Sequence, residues 1–546
     1  MPEQGRLAPV TVIRPLRPTG GPMQTRTIRD GISGLLAVAL ALGIAELIAG
    51  LTGAVAPIIA TGDLLIDHAP GWFTHFVIGL LGKKDKPALI ALVTLATLGV
   101  GVAIGLVGRS RPSRAQIGFA VLGAVGAAVA TFDTPASSTQ AALVAAFGPI
   151  IGATLGWQAL RLLLLAGTIE DAPAPSGDTP AQPMTRRIPG RRAFLGFAAV
   201  AAGASATSFV AGRKLAGSSV DVEEQRRALA INAGTQEVNG ALDLNGLSPL
   251  ITPNKDFYRI DTTLTTPRVD VAKWRLKVSG MVERPFELTF DELLSLPSRE
   301  EVITLTCVSN EVGGDLVGNA RWLGVPLADL LNRAGVKSGA TQVVGRSVDD
   351  FTVGFPTEVA LDGRPALVAY AMNGEALPGP HGFPARLVVP GLYGYVSATK
   401  WLTEIELTTW EAFDAYWIPR GWSKNGPIKT QSRIDVPRDG RTVKPGRVAV
   451  AGVAWAGNRS ISKVEVRARK RGESGDSNPW ITARLSEALS GNAWRQWIAE
   501  WDAQAGDYLI EVRATDGKGD VQTDKYHRSD PDGATGWHQI DVRVRA

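Results

Sequence analysis

Residues 31 to 57 form a Leu/Ala/Ile/Val run broken chiefly by small residues and one glutamate, and similar runs occupy about 87 to 108, 115 to 131 and 141 to 166. No other feature restricts the fold as much. Roughly 20 apolar residues cross the hydrocarbon of a bilayer, where each backbone N–H and C=O must be satisfied within the protein, so these runs predict four membrane-spanning helices. A buried helical hairpin is the alternative for the short third run. Flanking charge sets the orientation. Arg14, Arg17, Arg26 and Arg29 precede the first run, Arg109, Arg111 and Arg114 lie between the second and third, and Arg186, Arg187, Arg191 and Arg192 follow the fourth. By the positive-inside rule these sites and the amino terminus are cytoplasmic; Lys83, Lys84 and Lys86 fall on the other side and are outnumbered.

The stretch EDAPAPSGDTPAQP reads as a flexible linker leading into RIPGRRAFLGFAAVAAGASATSFVAGRKL. Arg191, Arg192, Phe194 and Leu195 match the twin-arginine pattern R-R-x-F-L before an Ala/Gly-rich apolar segment, a signature of export in the folded state. A fifth membrane helix with ordinary inside charges is the other reading. Both place residues 214 to 546 outside the cytoplasm. Folded export is useful chiefly where a cofactor must be inserted before crossing.

The 546 residues are too many for one core and predict at least three domains. A single cysteine excludes an intramolecular disulfide framework. The net charge of +5 is carried by residues between apolar runs rather than in stripes beside aromatics, so nucleic acid is not an expected partner.

That cysteine, Cys307, stands in EEVITLTCVSNEVGG, where alternating β-branched residues give way to Ser-Asn-Glu and paired glycines. The pattern predicts a buried strand entering a polar loop with the thiol at its mouth. Taken alone, the thiol is either a small buried hydrophobe or a ligand. A nucleophile would require a histidine and an Asn or Asp nearby, and residues 214 to 546 offer His381, His527 and His538. His381 lies in LPGPHGFPARLVVPGLYGYVSATKW, which reads as an anion-binding arrangement: Arg386 can fork onto phosphate, Lys400 supplies a point charge, and the glycines let backbone N–H groups approach. A soft thiolate and a phosphate cradle together suggest a metal carried by a phosphorylated organic cofactor.

TPNKDFYRID (252–261), TLTCVSNEVGGDLVGNARWLGVPLADLL (304–331), AYAMNGEALPGPHGFPARLVVPG and SATKW resemble the molybdopterin domain of the sulfite oxidase family. The resemblance covers about 245 to 546. It implies a mixed α/β fold in which a Cys thiolate joins the two dithiolene sulfurs of one molybdopterin on molybdenum. Carried over, Cys307 is the metal ligand and a catalytic residue. Asn254, Phe257 and Tyr258 match the stretch lining the pterin, His381, Arg386, Thr399 and Lys400 the group holding the pterin and its phosphate, and Ser347, in GRSVDDF, is a loose match. The substrate residues carry over less well. Where sulfite oxidases have C-A-G-N-R-R, this chain has CVSNEVGG, with Glu311 and Val312 in place of the basic residues. Arg259 is one residue out of register with the family's other arginine, and Tyr416 approximates its active-site tyrosine.

From about 430 the runs GRVAVAGVAWAG, KVEVRAR, WRQWIAEW, DYLIEVRATDG and HQIDVRV alternate with a period of two between turns. They predict a β-sandwich of immunoglobulin-like type, which the resemblance makes the family's dimerisation domain. The expected plan is therefore multidomain: a cytoplasmic tail (1–30), a four-span α-helical membrane bundle (31–166), a cytoplasmic linker (167–192), a twin-arginine-like fifth helix (193–213), a linker (214–245), an α+β molybdopterin domain (246–428) and the immunoglobulin-like domain (429–546).

The function this implies is a membrane-anchored, molybdenum–molybdopterin oxidoreductase acting extracytoplasmically on a small oxyanion or sulfoxide. Its electrons would pass to a cytochrome or a quinone, because His68 and His75, the two histidines of the membrane half, read as loop residues rather than haem ligands. A methionine sulfoxide reductase-like enzyme and a non-catalytic envelope scaffold are the alternatives, and metal content separates the last from the others.

Overall fold

The computed structural model describes residues 22–70, 77, 85–132, 139–168, 191–218, 220–229, 231, 240–472 and 478–546. The arginines at 14, 17, 186 and 187, Lys83, Lys84, His75, the Pro/Ala/Ser linker and the side chains of Arg191 and Arg192 lie outside what is described. The chain divides into two compact units, one within Met1–Asp67 and Leu81–Ser219, the other within His68–Leu80 and Val220–Ala546.

The first unit is helical: α1 (Pro22–Thr52), α2 (Pro57–His68), α3 (Asp85–Gly108), α4 (Pro112–Phe132), α5 (Thr139–Thr168) and α6 (Arg191–Ser218). All but α2 are long and apolar enough to cross a bilayer. The first apolar run is shorter than its composition predicts. Helix α1 stops at Thr52 because Gly53 takes a left-handed φ of 74°, and Pro57, favoured in the first turn of a helix, starts the 12-residue α2.

Contacts within this unit fix helix directions. The Ser205 hydroxyl of α6 donates to the Ala39 carbonyl of α1 at 2.7 Å, and Arg213 pairs with Glu46 at 2.7 Å, so the two contacts rise together in sequence and α1 and α6 run parallel. By contrast Arg109 forks onto Asp30 while Gly101 meets Val38, which makes α3 antiparallel to α1. Helix α5 is antiparallel to both α1 and α4, with Gly156 against Ala37, Gly148 against Ala45 and Gly123 against Ala153. Asp30 and Glu46 are buried, and each carboxylate has its arginine, the only inexpensive state for a charge among apolar helices. The alternation leaves the start of α1 and the end of α6 at opposite ends of the bundle.

The second unit holds four sheets. One is mixed, in the order β2 (Phe286–Thr289), β1 (Arg275–Gly280), β10 (Leu402–Thr408), β5 (Gln342–Ser347), β6 (Thr352–Pro356), with β1 and β10 parallel and Val278 opposite Ile405. Another is antiparallel, β3 (Arg299–Thr306), β4 (Val317–Pro326), β7 (Leu367–Met372), β8 (Glu375–Ala376), with β9 (Arg386–Val388) also on β7. Every residue of β7 is buried, as expected of an apolar strand flanked on both edges and covered on both faces.

The other two sheets are β11 (Gln431–Val436), β13 (Gly446–Trp455), β17 (Arg495–Ala503), β16 (Arg484–Leu485), and β12 (Arg441–Val443), β19 (His538–Val544), β18 (Gly506–Asp516), β14 (Ile461–Lys470), β15 (Ile481–Thr482). They share one core containing Val450, Trp497, Val466 and Ile510. All five alternating runs read from the sequence are strands here. The four that the pattern missed are β11, with its register shift near Val436, and the short β12, β15 and β16, where too few residues alternate to show a period.

Candidate active site

Strand β3 runs from an exposed start to a fully buried end at Thr306, so the residue that follows is delivered to the interior. That residue is Cys307. Its N–H donates to Leu316 at 2.9 Å and its carbonyl accepts from Asn310 at 3.1 Å, which folds the chain back at once. Asn310 is buried and its Oδ1 accepts the Leu316 N–H at 2.8 Å, while Gly313, with φ of 79°, sits so close to His538 that a Cβ would lie 2.3 Å from the ring. The Ser-Asn-Glu-Val-Gly-Gly segment is thus a tightly closed loop. Glu311 accepts from the Ser529 N–H and hydroxyl at 3.2 and 2.7 Å, and neither it nor Val312 lines the cavity beside Cys307. The pairing with Ser529 holds the Glu311 carboxylate away from that cavity.

The cavity has about 910 Å³ of space, including its open mouth. Cys307, Phe257, Tyr258, Ser347, His381, Arg386 and Lys400 line it, although they come from five separated stretches of chain. Phe257 stacks on Tyr258 at 5.2 Å and meets His381 edge-on at 5.6 Å. Burial pushes the Cys307 thiol and the Tyr258 hydroxyl up, the first against hydrogen bonds from the Ser309 N–H and hydroxyl.

Arg386 is 5% exposed. Its Nη1 donates to the His381 carbonyl at 3.1 Å and its guanidinium lies 5.0 Å from the Trp322 ring, yet no carboxylate among the described residues pairs with it. Burial lowers its pKa to about 10, so it keeps its charge at neutral pH. Lys400 is different: its Nζ donates to Asp261 at 3.0 Å, and burial, opposed by that carboxylate, brings it down to about 8.

The remaining expected residues are placed around the cavity rather than in its lining. The side chain of Asn254 donates to the Met372 carbonyl and Glu375 and accepts from Asn373, and only its backbone carbonyl reaches His381, at 2.9 Å from Nε2. Thr399 is fully buried, with no hydrogen-bond partner for its hydroxyl. Arg259 donates to Asp261 and Thr266, both at 2.8 Å, and so touches the cavity through the carboxylate it shares with Lys400. Tyr416 packs on Phe351 and Trp417 beneath the guanidinium of Arg420, 3.7 Å from its ring.

Sequence reading missed Asp261, Asp349, Tyr395, Trp401, Trp417 and Trp422, all of which line the cavity. Asp261 and Trp401 lie inside the quoted motifs and Trp417 and Trp422 beside Tyr416, so proximity in sequence was the available signal. Asp349, which accepts the Ser347 hydroxyl, lies inside the quoted GRSVDDF and had the same signal.

Because its Nε2 faces a carbonyl oxygen, His381 carries the ring proton there. Burial lowers its pKa from 6.5 to about 4, and His538, whose Nδ1 accepts the Ile434 N–H, is lowered to about 4 for the same reason. Above pH 6.5 both rings are neutral folded or unfolded. Below it the unfolded chain gains protons that the fold refuses, so stability is lost as pH falls from about 6.5 to about 4. The melting temperature should drop across that window, and less steeply in His381→Gln; an equal slope in the variant would contradict the assignment.

Residues 263–417 match the model of the oxidoreductase molybdopterin-binding domain. The chain is 30% identical over 329 residues to sulfite oxidase of Gallus gallus, covering 50% of this chain and 68% of that protein. The chain belongs to the sulfite oxidase family. Human mitochondrial sulfite oxidase is 31% identical over 323 residues, 50% of this chain and 57% of its own, so the chain spans little more than half of that relative. The sulfane dehydrogenase SoxCD from Paracoccus pantotrophus aligns over 54% of this chain and 84% of that one, at 24% identity and a TM-score of 0.46.

Molybdenum–molybdopterin is the cofactor of the sulfite oxidase family, and this cavity fits it. The Cys307 thiol on the cavity is a soft ligand suited to a metal carried by an organic cofactor. The buried Arg386 has no carboxylate and the Thr399 hydroxyl no partner, the two kinds of group that an anionic, hydrogen-bonding cofactor would satisfy.

Proposed function

We propose that this chain is a membrane-anchored oxidoreductase that carries out two-electron oxygen-atom transfer outside the cytoplasm, X + H2O ⇌ XO + 2H⁺ + 2e⁻, on a small substrate. The observation that carries the reading is the Cys307 thiol and the carboxylate-free Arg386 on one cavity. When bound, the cofactor supplies the two-electron couple. The protein's part is then to hold it. Cys307 is the metal ligand, Phe257, Tyr258 and the Asn254 carbonyl with neutral His381 border the pterin, and Arg386, Lys400, Thr399 and Ser347 hold its polar and phosphate groups. Arg259 positions Lys400 through Asp261, and Tyr416 backs the aromatic wall. Electrons pass to a cytochrome or a quinone.

Five alternating helices support an anchoring role, since an odd number of crossings carries Val220–Ala546 to the side opposite the amino terminus. The Arg-rich segments make that starting side cytoplasmic. Arg191 and Arg192 before Phe194 serve as the export signal, and the paired C-terminal sheets act as an immunoglobulin-like dimerisation domain.

Two measurements test this. The purified full chain should contain molybdenum and pterin, and a chain lacking both would overturn the enzymatic reading. Arg191→Lys with Arg192→Lys keeps the charge and therefore the topology, but should block appearance of the C-terminal half to externally added protease. Normal exposure in that variant would make the segment a membrane helix alone.

A further inference from the structure

We propose that the aromatic side of the cavity, Tyr395, Trp422, Trp417 and Phe351, binds a hydrocarbon substituent of the substrate, so that X is an organic sulfide and XO its sulfoxide rather than a free inorganic oxyanion. This rests on the function proposed above and narrows its substrate.

The wall is continuous. Ring centroids follow one another from Tyr395 to Trp422 at 5.9 Å and from Trp422 to Trp417 at 6.4 Å, and Tyr416 bridges Trp417 to Phe351 at 5.1 and 5.5 Å. The hydroxyl of Tyr395 donates to the Ser423 carbonyl at 2.5 Å, so its polar end is engaged within the protein. Aromatic faces carry negative potential, which disfavours a dianion, whereas they attract polarisable sulfur and apolar groups.

Charge in the cavity argues the same way. Its cationic side chains are Arg386 and Lys400, His381 being neutral at pH 7. Lys400 shares the Asp261 carboxylate with Arg259, and Asp349 is a second acidic group in the lining. The remaining charge, on Arg386, would serve the cofactor phosphate. Arg259 does not line the cavity, and Glu311, where a basic residue would have served an oxyanion, is bonded to Ser529. Among the described lining residues Arg386 is the one cation without a carboxylate, so a free oxyanion would compete with the cofactor for it. The sulfide couple, in which an organic sulfide and one water give the sulfoxide, two protons and two electrons, requires no cation. Its electrons go to the same cytochrome or quinone.

The test is equilibrium binding by calorimetry to the purified full chain, with methyl phenyl sulfoxide, dimethyl sulfoxide, trimethylamine N-oxide and sulfite as probes, beside the molybdenum content of the same sample. Methyl phenyl sulfoxide is expected to bind at least about tenfold more tightly than dimethyl sulfoxide, and Trp417→Leu and Phe351→Leu should each reduce that advantage severalfold. Two variants are needed because either alone could disturb folding, which circular dichroism checks. Tighter binding of sulfite or of the N-oxide than of the aryl sulfoxide, or aryl sulfoxide binding indifferent to both substitutions, would overturn the inference. With molybdenum present, that result removes the substrate class alone; a chain without molybdenum that still binds the aryl sulfoxide through the wall removes the proposed reaction and leaves the binding surface.

Discussion

Cys307→Ser is expected to lower oxygen-atom transfer by on the order of a hundredfold or more, about 3 kcal/mol of transition-state stabilisation, while the fold persists. A hydroxyl is nearly the size of a thiol but is a harder and more weakly donating ligand. The backbone around it does not depend on sulfur: the Cys307 N–H still meets Leu316, and the loop is closed by Asn310 and Glu311. Unfolding free energy should therefore change by no more than about 1 kcal/mol. Turnover with an artificial electron carrier, normalised to molybdenum and pterin content, separates the two effects. A serine variant with near-normal turnover would make Cys307 a buried core residue.

Arg386→Met should move two observables in opposite directions. In cofactor-free protein the guanidinium is a buried charge without a carboxylate, and an apolar side chain of similar length relieves its desolvation, so the apo melting temperature should rise, by as much as about 1 to 4 kcal/mol in stability. Cofactor retention should fall, by roughly ten- to a hundredfold for each charge-assisted hydrogen bond lost, at about 1.5 to 3 kcal/mol apiece. Thermal unfolding of protein made without cofactor, beside pterin content after dialysis of loaded protein, reads both. If the apo protein is instead destabilised and pterin is retained, the guanidinium is a structural group held on Trp322.

Much of this was legible in sequence because the relevant constraints are local. The β-branched run before Cys307 predicts a strand, and the strand ends one residue before the thiol. The apolar runs mark five helices of spanning length, but the stop at Gly53 escaped, since one residue's backbone conformation outweighed a continuing apolar composition, and so did the short α2, which ends at His68, a residue read as part of a loop. The long alternating strands of the C-terminal sheets were equally readable, whereas two-residue β15 and β16 were not.

Pairings across long separations were not legible. Nothing in FYRID announces that Asp261 will take Lys400, 139 residues on, and share itself with Arg259, nor that Asp30 will take Arg109 from another helix. The Arg259 and Tyr416 assignments show the same limit. Both lie next to residues that line the cavity, and register decided that Arg259 turns to Asp261 and that Trp417 rather than Tyr416 is in the lining.

The sequence by itself determined the helical segments, the position of the thiol at a strand end, the cation-bearing loop around His381 and the family, because each depends on residue type at short spacing. Only the tertiary structure decided which charges are paired and which are left: Lys400 and Arg259 on one carboxylate, Arg386 without any, Glu311 drawn away to Ser529 and an aromatic wall facing the thiol's cavity. The physical reason is that Coulomb and desolvation energies depend on distance and burial, quantities that one-dimensional spacing does not contain.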